Sequence, residues 1–265
     1  MSFEIADIDG AKVEYRLEPP HHPGFPTIVF LHEGLGSAAL WKDFPKELAE
    51  QTGCGILVYS RAGYGRSQAV SLPRPVDYMQ KEGLEFLPSV LEHFGLRDVI
   101  LFGHSDGATI ALVACAGPAA KYVKGAVIEA PHVVIEPITV SGIAKLADEF
   151  RKGPLKARLE RHHGTNTDCA FWGFAGTWLN LENARSWTIV PLLQSINQPL
   201  LVIQGDRDAF GTAYQVHTIA KSVSGVCAVQ MLAGCGHAPH VEARANVLDE
   251  TSRFIAHLTA DRAVA

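Results

Sequence analysis

The sequence contains no run of 18 apolar residues, no block of five or six like charges, no C-x-x-C pair and no positively charged leader. Each absence closes off a class of function. Without a long apolar run, no segment is expected to cross a bilayer, so no membrane partner is expected. Acids and bases are interspersed and sum to a formal net charge of −5, which leaves no electrostatic footprint for a nucleic-acid backbone. Cys54, Cys115, Cys169, Cys227 and Cys235 are odd in number and widely spaced, which argues against both a disulfide framework and a zinc site. The opening Met1-Ser2-Phe3-Glu4-Ile5-Ala6-Asp7 carries acids where a secretory leader carries positive charge. With the cysteine usage, this makes the cytoplasm the expected location and reduced thiols the expected state.

What is present is a chain of 265 residues, 47% hydrophobic and 19% charged, enough for one large core or for a core with a small lid. No period of 20 to 50 residues recurs, so solenoids and propellers are not expected. Short apolar runs alternate with helix-length stretches: Thr27 to Leu31, a helix near Trp41 to Gln51, Gly55 to Tyr59, a helix from Val76 to Phe94, Asp98 to Phe102, a helix from Ser105 to Ala116, and Gly125 to Ile128. This is the rhythm of βαβ units, with middle strands apolar on both faces as a buried parallel sheet requires. Phe3 to Ile8 and Ala11 to Leu17 flank Asp9-Gly10, a hairpin signal that predicts an antiparallel N-terminal edge. From 131 to 188 the rhythm breaks into a charged helical stretch, Ala144 to Arg161, and an aromatic segment with Phe171, Trp172, Phe174 and Trp178. It resumes with Pro199 to Ile203, a helix near Thr212 to Val223, Cys227 to Leu232, and a closing helix from Ala243 to Leu258. The expected architecture is α/β: a mostly parallel, doubly wound sheet formed by 1–130 and 189–265, with a helical cap inserted at 131–188.

Gly103-His104-Ser105-Asp106-Gly107 is a G-x-S-x-G match. Alone it is weak, since Gly frequency gives one by chance in about one chain in ten of this length. Its context is stronger: it follows an apolar strand and opens an Ala-rich helix, the strand, sharp turn and helix of a nucleophile elbow. The competing use of Ser105 is a plain helix cap. A serine hydroxyl needs a base to remove its proton and a carboxylate to orient that base. Asp208, in Gly205-Asp206-Arg207-Asp208 after the strand ending at Ile203, is the candidate acid. Asp206 is assigned to the turn, and Glu129, at another strand end, is the rival acid. His237, in the glycine-rich loop Gly234 to His240, is the candidate base. His240 is read as structural, because a metal pair with His237 lacks a recognisable third ligand; no metal and no cofactor are expected. Acyl transfer also needs two N–H donors for the oxyanion. One is expected from Asp106, and the second from the loop His32-Glu33-Gly34-Leu35-Gly36, through Glu33, Gly34 or Leu35.

Taken together, the His32 to Gly36 loop, Arg61 to Ser67 after the second parallel strand, the Ser105 elbow, the Asp208 turn and the His237 loop resemble the α/β-hydrolase superfamily. The resemblance covers nearly the whole chain apart from 131–188. It departs at Glu33, where the family usually has Gly after the loop histidine. Direct alignment makes Gly34 the donor, whereas an inserted Glu33 would shift it to Leu35. Glu33, Trp172 and Trp178 are candidate substrate-binding residues, against the plainer roles of solvated loop carboxylate and cap packing. The resemblance implies a covalent serine hydrolase acting on a small, apolar carboxylic ester or lactone. A carbon–carbon bond hydrolase of diketone-type ring-fission products and a non-catalytic small-molecule receptor are the alternatives.

Overall fold

The computed structural model describes residues 2–180 and 187–260. Its sheet contains β1 (Glu4–Ile8), β2 (Ala11–Glu18), β3 (Thr27–Leu31), β4 (Gly55–Tyr59), β5 (Val99–His104), β6 (Val123–Glu129), β7 (Leu200–Gly205) and β8 (Cys227–Leu232). The order across the sheet is β1-β2-β4-β3-β5-β6-β7-β8. β1 pairs antiparallel with β2, and β2 with β4; all later pairings are parallel. The β1–β2 turn has Asp9 at φ 53° and Gly10 at φ 81°, the positive values a tight hairpin needs in order to match strand twist.

Alternation along the strands produces two cores. Val29 and Leu31 of β3, Val99 and Leu101 of β5, and Leu200 and Val202 of β7 face one side. Ile28 and Phe30, Ile100 and Phe102, and Leu201 and Ile203 face the other. This period of two, with every residue buried, is why these runs read as continuously apolar. Helix α1 (Phe44–Thr52) covers the second face, and its expected start is displaced because Ala38–Trp41 forms a separate 3-10 turn. The expected Val76 to Phe94 helix is α2 (Tyr78–Lys81), a π turn at Glu82–Phe86, and α3 (Leu87–His93). Pro88 has no N–H to give the Leu84 carbonyl, so the ladder widens just before it. Helix α4 (Asp106–Ala116) is buried from Asp106 through Cys115.

Between β6 and β7 the expected single stretch from Ala144 to Arg161 is two helices, α5 (Pro137–Lys152) and α6 (Leu155–His163). The break falls at Gly153-Pro154, where proline cannot continue the ladder. Helix α7 (Thr167–Trp178) holds the aromatic segment, and α8 (Val190–Leu193) leads back to the sheet. Residues 181–186 of the expected 131–188 insertion lie outside the described residues. Helix α9 (Ala213–Ser222), capped by the Thr212 side chain, α10 (Pro239–Glu242) and α11 (Arg244–Thr259) complete the fold. Among the described residues, no helix is long and apolar enough to cross a membrane. The chain proceeds from β3 to β4 on one side and then to β5 on the other. The carboxyl ends of β3 and β5 therefore flank a topological switch point, the place where open α/β sheets present ligand sites.

Candidate active site

Ser105 sits at that point, between β5 and α4, with φ 53° and ψ −116°. Such a backbone is costly for any side chain and persists only where its surroundings fix it. They do so here by backbone bonds: Ser105 N–H donates to the Glu129 carbonyl at 2.9 Å, and Thr109 N–H donates to the Ser105 carbonyl at 3.1 Å. The two motif glycines supply the room. A Cβ at Gly107 would run into the Leu31 carbonyl, and one at Gly103 into the Gly107 carbonyl.

The loops after β7 and β8 bring the other two groups to the serine. His237 Nε2 lies 3.0 Å from Ser105 Oγ, and its Nδ1 lies 2.8 Å from Asp208 Oδ2. Asp208 also accepts from Phe210 N–H at 2.7 Å, Gly211 N–H at 3.3 Å and the Gln204 amide at 2.7 Å. Burial alone would raise its pKa, but the His237 ring and the Phe210 N–H hold the carboxyl below its ordinary value. Gly205 lets the two loops close on each other, since a Cβ there would strike the Gly236 carbonyl. The rival acid Glu129 is engaged elsewhere: its carboxylate accepts from His240 N–H at 2.6 Å and contacts His240 Nδ1 at 2.6 Å. Asp206 accepts from Gly234 N–H at 2.7 Å, which pins the His237 loop.

Asp106 opens α4, so its N–H has no intrahelical partner, and the His32 to Gly36 loop approaches the same turn, with the His32 carbonyl against Gly107 and Glu33 to Leu35 lining one cavity with Ser105. That loop is held from three sides. Arg61 donates its N–H to His32 Nε2 at 3.1 Å and its guanidinium to the Glu33 carbonyl at 3.0 Å. His32 Nδ1 donates to the same carbonyl at 2.8 Å, a tautomer set by the Arg61 bond. His163 of α6 accepts from Gly65 N–H at 3.0 Å through Nδ1 and donates to the Leu35 carbonyl at 3.0 Å through Nε2. The loop puts Gly34 against the Phe174 ring, where a Cβ would collide.

A cavity of about 270 Å3 opens onto Ser105. Glu33, His104, His132, Thr139 and His237 are its polar lining, and Leu35, Ile143, Leu146, Phe174, Trp178 and Phe210 its apolar lining, with Gly34 beside them. Trp178 is in the wall of this cavity, and its indole N–H donates to Tyr78 OH at 3.2 Å. Trp172 does not line this cavity. One helical step from Phe171, it turns outward and packs edge-on against Phe150 and Phe171, with Arg151 over its ring.

Sequence reasoning missed His132, which is 3% exposed, with its Nδ1 unpartnered among the described residues. Burial pushes its pKa down to about 3, and the neighbouring His237 adds to the shift. The ring is therefore neutral. Its signal was position alone, three residues past the end of β6. His104, Glu129 and His240 also cluster, with ligand atoms within 4.8 Å of one another. The Glu129 carboxylate and His240 Nδ1 are spent on each other, and His104 Nε2 on the His237 carbonyl, which is the pattern of hydrogen-bonded carboxylate–imidazole pairing.

Residues 28–250 match the alpha/beta hydrolase family. The chain is 25% identical over 262 residues to 2-succinyl-6-hydroxy-2,4-cyclohexadiene-1-carboxylate synthase of Salmonella paratyphi C, covering 89% of this chain and 96% of that protein. A shorter match, 33% identical over 90 residues, is to proline iminopeptidase of Lactobacillus helveticus and spans 33% of this chain and 30% of that one. In fold, the chain is similar to the enol-lactonase of Burkholderia xenovorans LB400, with a TM-score of 0.71 and 19% identity over 95% of this chain and 99% of that chain. The family match takes in most of the 265 residues and spans Ser105, Asp208 and His237; the chain belongs to the alpha/beta hydrolase family.

Proposed function

We propose that the protein is a serine hydrolase that cleaves a small carboxylic ester or lactone through an acyl-enzyme on Ser105. One observation carries this reading: a serine held at φ 53° with its hydroxyl 3.0 Å from an imidazole that is itself 2.8 Å from a carboxylate. In that line His237 Nε2 takes the Ser105 proton as Oγ attacks the carbonyl carbon. Asp208 keeps the remaining N–H on Nδ1 and stabilises the imidazolium. The oxyanion is received by the N–H groups of Asp106 and Gly34, donors of a kind whose single removal costs about 3 to 4 kcal/mol. His237 then gives its proton to the leaving oxygen, and water, activated by the same ring, releases the acid. The helices between β6 and β7 serve as a cap, with Phe174 and Trp178 favouring an apolar substrate.

The test is a panel of aryl and alkyl esters, lactones and vinylogous diketones, run on the wild type and Ser105→Ala in parallel. Ester or lactone turnover lost in Ser105→Ala is the expected result. An alanine variant with full activity overturns the mechanism, turnover confined to the diketones replaces the substrate class, and stable binding without turnover makes the protein a receptor. Intact-mass labelling with an organophosphonate is a second check, refuted by an adduct on any residue other than Ser105.

A further inference from the structure

The departure at Glu33 has a partner. Its Oε2 lies 3.6 Å from Nδ1 of His104, the residue immediately before the nucleophile, whose side chain is 4% exposed. The opposite nitrogen, Nε2, lies 2.7 Å from the His237 carbonyl oxygen. A carbonyl can only accept, so Nε2 carries a proton. Nδ1 has no hydrogen-bond partner among the described residues and faces the Glu33 carboxylate at ion-pair distance. One buried ring thus stands between the loop that holds Gly34, the proposed second oxyanion donor, and the backbone of the proposed base.

We propose that Glu33 and His104 are positioning residues for the hydrolysis: a His104 imidazolium, paired to Glu33 and bonded to the His237 carbonyl, locks the oxyanion loop to the base and cancels the carboxylate charge beside the developing oxyanion. The proposal rests on the serine-hydrolase reading above. The groups that face His104 are Glu33 from the loop after β3, Glu129 from β6, His240 from α10 and His237 from the loop after β8. Burial disfavours a charged ring, but the Glu33 carboxylate beside it and the charge of Glu129 outweigh that and push its pKa up to about 9. Glu33 is held in turn well below the usual carboxylate range by the same ring, against its own burial. Left unpaired, that carboxylate would oppose negative charge on the substrate oxygen.

The test uses the rate of organophosphonate labelling at Ser105, which needs no natural substrate, in the wild type, Glu33→Gln, His104→Gln and the double variant. His104→Gln leaves the carboxylate unpaired and is expected to slow labelling by about 100-fold, the loss associated with a misplacement of about 1 Å. Glu33→Gln is expected to cost less. The double variant, having no unpaired charge, is expected to label faster than His104→Gln alone. Losses that multiply in the double variant overturn the proposal, as does equal labelling of all four proteins. An NMR titration of the wild type requires no variant to fold: the His104 ring should stay charged through neutral pH and titrate near pH 9, and a midpoint below 7 also overturns it. No labelling of Ser105 in the wild type would instead bring down the hydrolase reading.

Discussion

Replacing Asp208 with Asn turns one acceptor oxygen into a donor NH2 and so opposes the two groups that meet that oxygen, Gln204 Nε2 and His237 Nδ1. The carboxylate accepts from four groups, His237 Nδ1, Gln204 Nε2, Phe210 N–H and Gly211 N–H. An Asn oxygen retains the two backbone donors, which places its amide NH2 toward Gln204 and His237. Gln204 can turn its amide, because its Oε1 has no partner among the described residues, although its bond to the Gly211 carbonyl at 3.3 Å is then lost. His237 Nδ1 lies 2.9 Å from Oδ1 and 2.8 Å from Oδ2, so the new NH2 pushes its N–H either onto the already shared Asn oxygen or over to Nε2; in the second tautomer Nε2 donates to Ser105 Oγ and no longer accepts from it. The expected stability loss is small, about 1 to 2 kcal/mol for the forfeited bonds. The expected kinetic loss is large: the same substitution in Ser-His-Asp proteases lowers kcat about 10,000-fold, roughly 5.5 kcal/mol of barrier. The assay is kcat for an activated aryl ester, with urea unfolding of the same preparation to separate chemistry from folding. An Asp208→Asn variant that is folded and keeps more than about a tenth of wild-type kcat refutes the tautomer argument. Glu129 would then return as the candidate acid.

Gly107→Ala places a methyl group into the Leu31 carbonyl, with backbone on both sides and nothing free to yield. A loss of about 3 kcal/mol, the upper end for overpacking, is expected, read by urea unfolding, and a variant as stable as the wild type contradicts the elbow packing. His132→Leu removes a ring whose Nδ1 is already unpartnered, so its stability at pH 7 should stay within about 1 kcal/mol of wild type. The wild-type His132 ring has its folded pKa depressed to about 3 from 6.5; its contribution is complete above the unfolded pKa and is lost as pH falls from 6.5 toward 3. The wild type should therefore lose about 3 kcal/mol between pH 7 and pH 4 that the Leu variant does not, and identical pH profiles in chemical denaturation would count against it. Trp178→Phe, in the cavity wall, should change KM across an ester chain-length series, whereas Trp172→Ala should leave KM within about twofold because that ring packs on the outer face of α7. A larger effect from Trp172 would place the substrate elsewhere.

What could be read along the chain was whatever depends on neighbours in sequence. The elbow at Ser105 is a local device, so strand, turn and helix were visible in the one stretch from Asp98 to Ala116. Asp208 and His237 each follow a recognisable strand end, and strand ends meet at one edge of a parallel sheet. Contacts that depend on which loop crosses which were not visible. Glu129 with His240, 111 residues apart, and His104 with the His237 carbonyl, 133 apart, carry no periodic or compositional mark. Trp172 and Trp178 looked equivalent in a run of aromatics, but six residues of helix α7 turn them about 120° apart around its axis, and only Trp178 shares the cavity side with Phe174. The π turn before Pro88 was equally hidden, because an apolar pattern does not register a change of a single residue in the ladder.

The arrangement around Ser105 also explains why three carboxylate–histidine couples can stand side by side without three equal bases. Asp208 pairs with His237, Glu33 with His104, and Glu129 with His240. Chemically the couples are alike, so geometry has to distinguish them. His237 is set with its Nε2 facing a hydroxyl, whereas His104 spends its Nε2 on a backbone carbonyl. His240 lies against Trp41 and Phe44 with its Nδ1 on Glu129. Exposure follows the same division, with the His237 side chain at 19% and those of His104 and His240 at 4% and 7%. In the proposed mechanism His237 exchanges protons with substrate and water and needs that access, while His104, in its proposed role of holding two loops together, is best kept from it.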